Sequence, residues 1–118
     1  MITNRQENLT DLGEIKLHTK VIASIANLAC LEVQGVKRVE GRFIKRIFNF
    51  IRLQDSPGIK VELAKNGEVG LRIPLVLQYG CNIPEVATRV QENVRQALER
   101  MANIYTKDID IDIRGIEK

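Results

Sequence analysis

The 118-residue chain has no tryptophan, one histidine, two cysteines, three prolines and only two tyrosines and three phenylalanines. Cys30 and Cys81 belong to no C-x-x-C pair and no Cys/His cluster, which argues against a disulfide scaffold, a zinc site and a thioredoxin-type centre and fits a reducing compartment. The N-terminus, Met1 to Glu7, has no apolar h-region of the kind a secretory signal needs. The longest mostly apolar stretch, Val21 to Leu31, is interrupted by Ser24 and Asn27 and falls well short of the roughly 20 residues of a spanning helix. Ser24 and Ser56 lack a G-x-S-x-G elbow, and the lone His18 has no nucleophile or orienting group nominated beside it, so the expectation is a non-enzyme.

What is present is 44% hydrophobic and 28% charged residues, the composition of one globular domain at a length that can bury a core without staples. We expect a loose polar arm over residues 1–12 and a single domain over 13–118. Net charge is +3, unevenly distributed. Between Val36 and Leu53, Lys37, Arg38, Arg42, Lys45, Arg46 and Arg52 stand against Glu40 alone, and all three phenylalanines, Phe43, Phe48 and Phe50, lie in the same segment. A basic surface confined to one segment points to an acidic partner met locally.

Patterning sets the element order. Gly13 to His18 alternates as a half-buried strand does. Thr19 reads as an N-cap for a helix carrying Val21, Ile22, Ile25, Ala26, Leu28, Ala29 and Val33 at three- to four-residue spacing and stopping near Gly35. Val36 to Glu40 reads as a short extended piece, and Ile44, Ile47, Phe48 and Ile51 as the stripe of a basic, aromatic helix over 42–53. Ile59 to Leu63 alternates, Asn66-Gly67 is a strong hairpin signal, and Val69 to Tyr79 forms the return strand. Pro74 within that strand cannot donate to a ladder, which predicts an edge or a bulge. Asn82 with Glu85 three residues later, and Pro84 in the first turn, open a helix running to about Ala102. Its apolar stripe is Ile83, Val86, Ala87, Val90, Val94, Ala97, Leu98 and Met101. Asn103 stands where a glycine-containing turn is expected, and Ile109, Ile111 and Ile113 alternate with carboxylates in a last strand. The resulting expectation is an α+β two-layer sandwich, β-α-(α)-β-β-α-β, with a mixed sheet of about four strands and helices on one face.

Two motifs are weighed and set aside. Asp108-x-Asp110-x-Asp112 opens like a calcium loop but lacks the glycine at the sixth position and the closing glutamate, and reads better as a row of solvent-facing carboxylates that discourages edge pairing. Gly67-Glu68-Val69-Gly70 spells a G-x-x-G, yet it carries an acid and sits in a hairpin rather than before a helix.

The segment 42–53 fits two arrangements. In one, its aliphatic stripe packs under the sheet and its charges stay in water. In the other, Arg42, Phe43, Lys45, Arg46, Phe50, Arg52 and Leu53 form a partner-binding surface, sticky at the phenylalanines and oriented by the cations, suited to a protein or an anionic membrane surface. Nucleic-acid binding would use the same cations, but the aromatics outside it, Tyr79 and Tyr105, give little of a stacking platform.

The order and spacing of Gly13-x-Ile15-x-Leu17, Val21-Ile22, Ile25-Ala26, Ala29, Val33-x-Gly35-Val36, Val61, Asn66-Gly67-Glu68-Val69 and Gln78-Tyr79-Gly80-x-Asn82-Ile83-Pro84-x-Val86-Ala87 resemble the alkaline-shock protein family of bacterial envelope-stress proteins. The likeness continues through Val90-Gln91, Val94 and Met101 and covers roughly residues 13 to 115. This resemblance implies a small cytoplasmic domain without catalysis or cofactor, at the inner face of the cell membrane. It further implies action through self-association and through a membrane-anchored protein. It supplies no catalytic residue.

Overall fold

The computed structural model describes residues 18–40 and 58–118. Helix α1 covers 18–31, followed by strands β1 (Val36–Val39), β2 (Lys60–Leu63) and β3 (Val69–Gln78), helix α2 (Ile83–Ala102) and strand β4 (Thr106–Glu117). The strands form one mixed sheet, with both described helices packed on one face and a single core between the layers. The expected α+β sandwich is what folds. The expected strand at 13–17, the helix at 42–53 and the arm at 1–12 lie outside the described residues. His18 and Thr19 are already helical, so Thr19 is not the N-cap its sequence position suggested.

Strand β3 is the centre of the sheet. Its odd-numbered residues, Val69, Leu71, Ile73, Leu75 and Leu77, are all buried against the helices. Val76, on the opposite face, is only 1% exposed. The unbroken run Ile73 to Leu77 reflects this burial on both sides, the pattern of an interior strand rather than of a half-wet one. Strand β4 pairs parallel to β3 along its whole length, Leu71 opposite Ile109 and Leu75 opposite Ile113, with α2 as the crossover that a parallel connection requires. The outer edge of β4 has no strand partner among the described residues, and the Gln91 side-chain amide of α2 donates to the Ile109 carbonyl at 2.7 Å.

Helix α2 is legible from its ends inward. The Asn82 side chain accepts from the Glu85 N–H at 3.1 Å, and Asn103 closes the helix in the left-handed region, φ 54° and ψ 40°, its N–H reaching the Glu99 carbonyl. An asparagine thus does the work expected of a glycine, because its short polar side chain tolerates that conformation better than other residues. Val86, Val90, Val94, Ala97 and Leu98 face the core, while Met101, expected on that stripe, is exposed.

The β2–β3 hairpin turns through Ala64 to Glu68, with Gly67 at φ +89° and its N–H donating to the Ala64 carbonyl at 3.0 Å. Asn66 clamps the turn by accepting from the Glu68 N–H at 3.1 Å and donating to its carboxylate at 2.7 Å. The G-x-x-G residues are therefore spent on a turn and a strand start.

Candidate functional site

The residues singled out for partner binding, Arg42, Phe43, Lys45, Arg46, Phe50, Arg52 and Leu53, lie outside the described residues, and the structure places none of them. What it does place is the attachment of the stretch that carries them. Strand β1 pairs antiparallel with the far half of β3, Val36 opposite Leu77 and Val39 opposite Leu75. Strand β2 pairs antiparallel with the near half, Lys60 opposite Arg72 and Leu63 opposite Val69. Since β4 occupies one edge of β3 throughout, β1 and β2 share the other, running in the same direction. The described chain leaves the sheet after Glu40 and rejoins it at Lys60, in the middle of that edge.

Pro74 marks the interval. Its carbonyl accepts from the Glu40 N–H at 2.8 Å, and in a strand a residue's N–H and C=O point the same way. The donor that Pro74 lacks would therefore have faced the gap between β1 and β2. The expectation of an edge or a bulge is corrected accordingly: Pro74 lies in the central strand, and it is the neighbouring edge that is interrupted.

The sheet face opposite the helices is lined with charge in register rows. Lys60, Arg72 and Asp110 lie side by side across β2, β3 and β4, and Glu62, Gly70 and Asp108 form the next row. These six residues border a shallow depression of about 150 Å³, because Gly70 contributes no side chain between two carboxylates. Asp112 lies farther along β4, paired with the Arg114 guanidinium at 2.8 Å. At the far end, Arg38 of β1 reaches across β3 to Glu117 of β4, with bonds of 2.6 and 2.9 Å. The two hydrogen bonds from Arg38 hold the Glu117 carboxyl below its ordinary range, and Glu117 in turn raises the guanidinium. Lys37 donates to the Lys118 carbonyl beside this pair.

Among the described residues, no group of His, Cys, Asp and Glu is gathered closely enough to hold a metal ion. The row Asp108, Asp110, Asp112 is spread along β4, two of the three fully in solvent. The Cys30 thiol is sealed in the core, and burial pushes it up to about 12, which keeps it neutral and poorly nucleophilic at physiological pH. His18 is exposed on α1. The geometry offers a charged recognition surface.

Sequence reasoning missed two features here. The Arg38–Glu117 pair joins residues too distant in the chain for any local pattern to link. The outer side of α1 was read as part of a single core stripe, yet Val21 and Leu28 are exposed while Ala23 and Cys30 are buried. A signal existed: no charged residue occurs from Val21 to Leu31, so that helix has no polar face to turn to water.

Comparison with known proteins adds the biological setting. The model of the alkaline-shock protein family, described as having a cell envelope-related function, matches residues 7–118. The chain is 37% identical over 109 residues to the uncharacterized protein YqhY of Bacillus subtilis, covering 92% of this chain and 80% of that one. It is 29% identical over 105 residues to an uncharacterized protein of Streptococcus pyogenes, at 89% and 80% coverage. With a stress response regulator gls24 homolog of Streptococcus pyogenes it shares 24% identity over 120 residues, 98% of this chain and 66% of the other. No solved structure gives a significant match. No helix among the described residues is long and apolar enough to cross a membrane.

Proposed function

The chain belongs to the alkaline-shock protein family, whose function is cell envelope-related, and from that premise we propose that it is a non-enzymatic interaction module. It assembles with itself and with a membrane-anchored protein at the inner face of the cell membrane. The observation that carries this reading is the attachment of one stretch at both ends to a single interrupted sheet edge. That stretch holds four basic residues, Arg42, Lys45, Arg46 and Arg52, together with Phe43, Phe48 and Phe50. Burial of Phe43, Phe50 and Leu53 against a partner would supply the affinity, and the cations would supply orientation and association rate.

The test is membrane co-fractionation of the full chain and of Phe50→Asp, with mass spectrometry of what accompanies each. The reading expects recovery with membranes that survives raised salt and falls with the substitution. Unchanged recovery and assembly of Phe50→Asp would remove segment 42–53 from the mechanism. Binding to RNA that collapses steeply with ionic strength would assign the same cations to phosphates instead.

A further inference from the structure

Two helices lie side by side over the sheet, and their solvent faces differ in kind. Helix α2 turns a charged face outward, with Glu85–Arg89 and Glu92–Arg95 ion pairs one turn apart, as a water-facing helix does. Helix α1 buries Ile22, Ala23, Ala26, Ala29 and Cys30 and turns Val21, Ser24, Leu28 and Leu31 outward. Leu28 is 59% exposed, Leu31 47% and Val21 43%. The spacing of these four, three then four then three residues, is that of a coiled-coil seam, and it lies diametrically opposite the core stripe. Among the described residues nothing covers it. The charges nearest it, Lys20 and Glu32, flank it at its two ends.

We propose that this seam is where two copies of the chain meet, α1 against α1 in antiparallel orientation about a two-fold axis. The proposal deepens the self-association part of the reading above and rests on it. The seam is self-complementary in that orientation only. Val21 comes opposite Leu31 of the second copy, and Ser24 opposite Leu28, so each large Leu28 meets the space a small residue leaves. Lys20 of each copy comes to the same end as Glu32 of the other. A parallel arrangement would instead gather Lys20 with Lys20 and Glu32 with Glu32, which is unfavourable. One helix seam is small for a specific interface, so the association is weak and depends on concentration.

Sedimentation velocity of the full chain over two decades of concentration is the first measurement, and a shift from monomer to dimer is expected. Leu28→Lys should weaken the dimer by about tenfold or more, since it places a cation in the seam on both copies. Circular dichroism of that variant should match the parent, because Leu28 makes little of the core. Lys20→Glu should weaken the dimer by roughly three- to tenfold through end repulsion, and the swap Lys20→Glu with Glu32→Lys should restore it. In a Cys81→Ser background, mixing Ser24→Cys chains with Leu28→Cys chains should form disulfides between the two variants rather than like with like. A chain that stays monomeric throughout, a Leu28→Lys variant that dimerises like the parent, or like-with-like disulfides would each overturn the proposal. Membrane recovery of the parent chain tests the envelope reading by itself, so the failure of one is distinguishable from the failure of the other.

Discussion

Arg38 on β1 and Glu117 on β4 form a two-bond ion pair that passes over the central strand between them. Val76 is opposite Arg38 in register and nearly sealed. The pair fastens the two outer strands at the far end of the sheet, where β1 is only four residues long.

The pair gives stability a pH dependence of definite sign. The Glu117 carboxyl is held below its ordinary value of 4.5 by the Arg38 hydrogen bonds, so its contribution is present above that value. It is lost as pH falls through the depressed one. Glu117→Gln should lower the melting temperature modestly at neutral pH, and the gap to the parent should close under acid. Thermal melts of both proteins from pH 7 to pH 3 check this.

At the other extreme of pH, Cys30 is the group that matters. Its thiol stays protonated in the fold up to about 12, against an ordinary value of 9.0. The unfolded chain ionises first, so this contribution is intact below pH 9 and is lost as pH rises toward 12. Denaturant midpoints across that window should fall less in Cys30→Ala, which itself costs about 1 kcal/mol at neutral pH through the lost packing. A thiol reagent on the native protein should modify Cys81, which is partly exposed, and reach Cys30 only on unfolding.

Gly35 joins α1 to β1 at φ +104°, and a Cβ there would sit 2.7 Å from the Val86 Cγ2 of α2. Gly35→Ala combines a strained backbone with overpacking and should cost about 2–4 kcal/mol. Adding Val86→Ala should recover part of the loss, so chemical denaturation of the two single variants and the double should be clearly non-additive.

The two ends of α2 make a matched pair of tests. Asn82→Ala removes the acceptor for the Glu85 N–H and should cost about 1 kcal/mol, with Asn82→Asp retaining most of the stability. Asn103→Gly should be neutral or slightly stabilising because the position is left-handed, whereas Asn103→Val should destabilise by about 1–2 kcal/mol. Urea midpoints of the four variants decide it.

What could be read locally was read from caps and alternation. Asn82, Pro84 and Glu85 announced α2, Asn66-Gly67 announced the hairpin, and the isoleucines of β4 announced a strand with an acidic face. Short-range signals fail where a pattern has two solutions. Val21, Leu28 and Leu31 fit a helical stripe as well as Ile22, Ala26 and Ala29 do, and without a charge between them periodicity finds the helix but not its buried side. Pro74 reads as an edge marker because a missing donor is visible in sequence, while the interruption it faces is not.

The chain by itself determined which stretches are helix and which are strand, through hydrophobic period, caps and turn residues, all of which act within a few positions. Only the tertiary structure decided that β3 takes the centre, that β1 and β2 divide one of its edges, and that β4 runs parallel on the other. It also decided that α1 keeps an apolar side in solvent. These outcomes are set by competition for burial among segments distant in the chain, since a strand with both faces apolar gains most in the middle. A helix with two apolar faces can bury only one of them against a two-layer core.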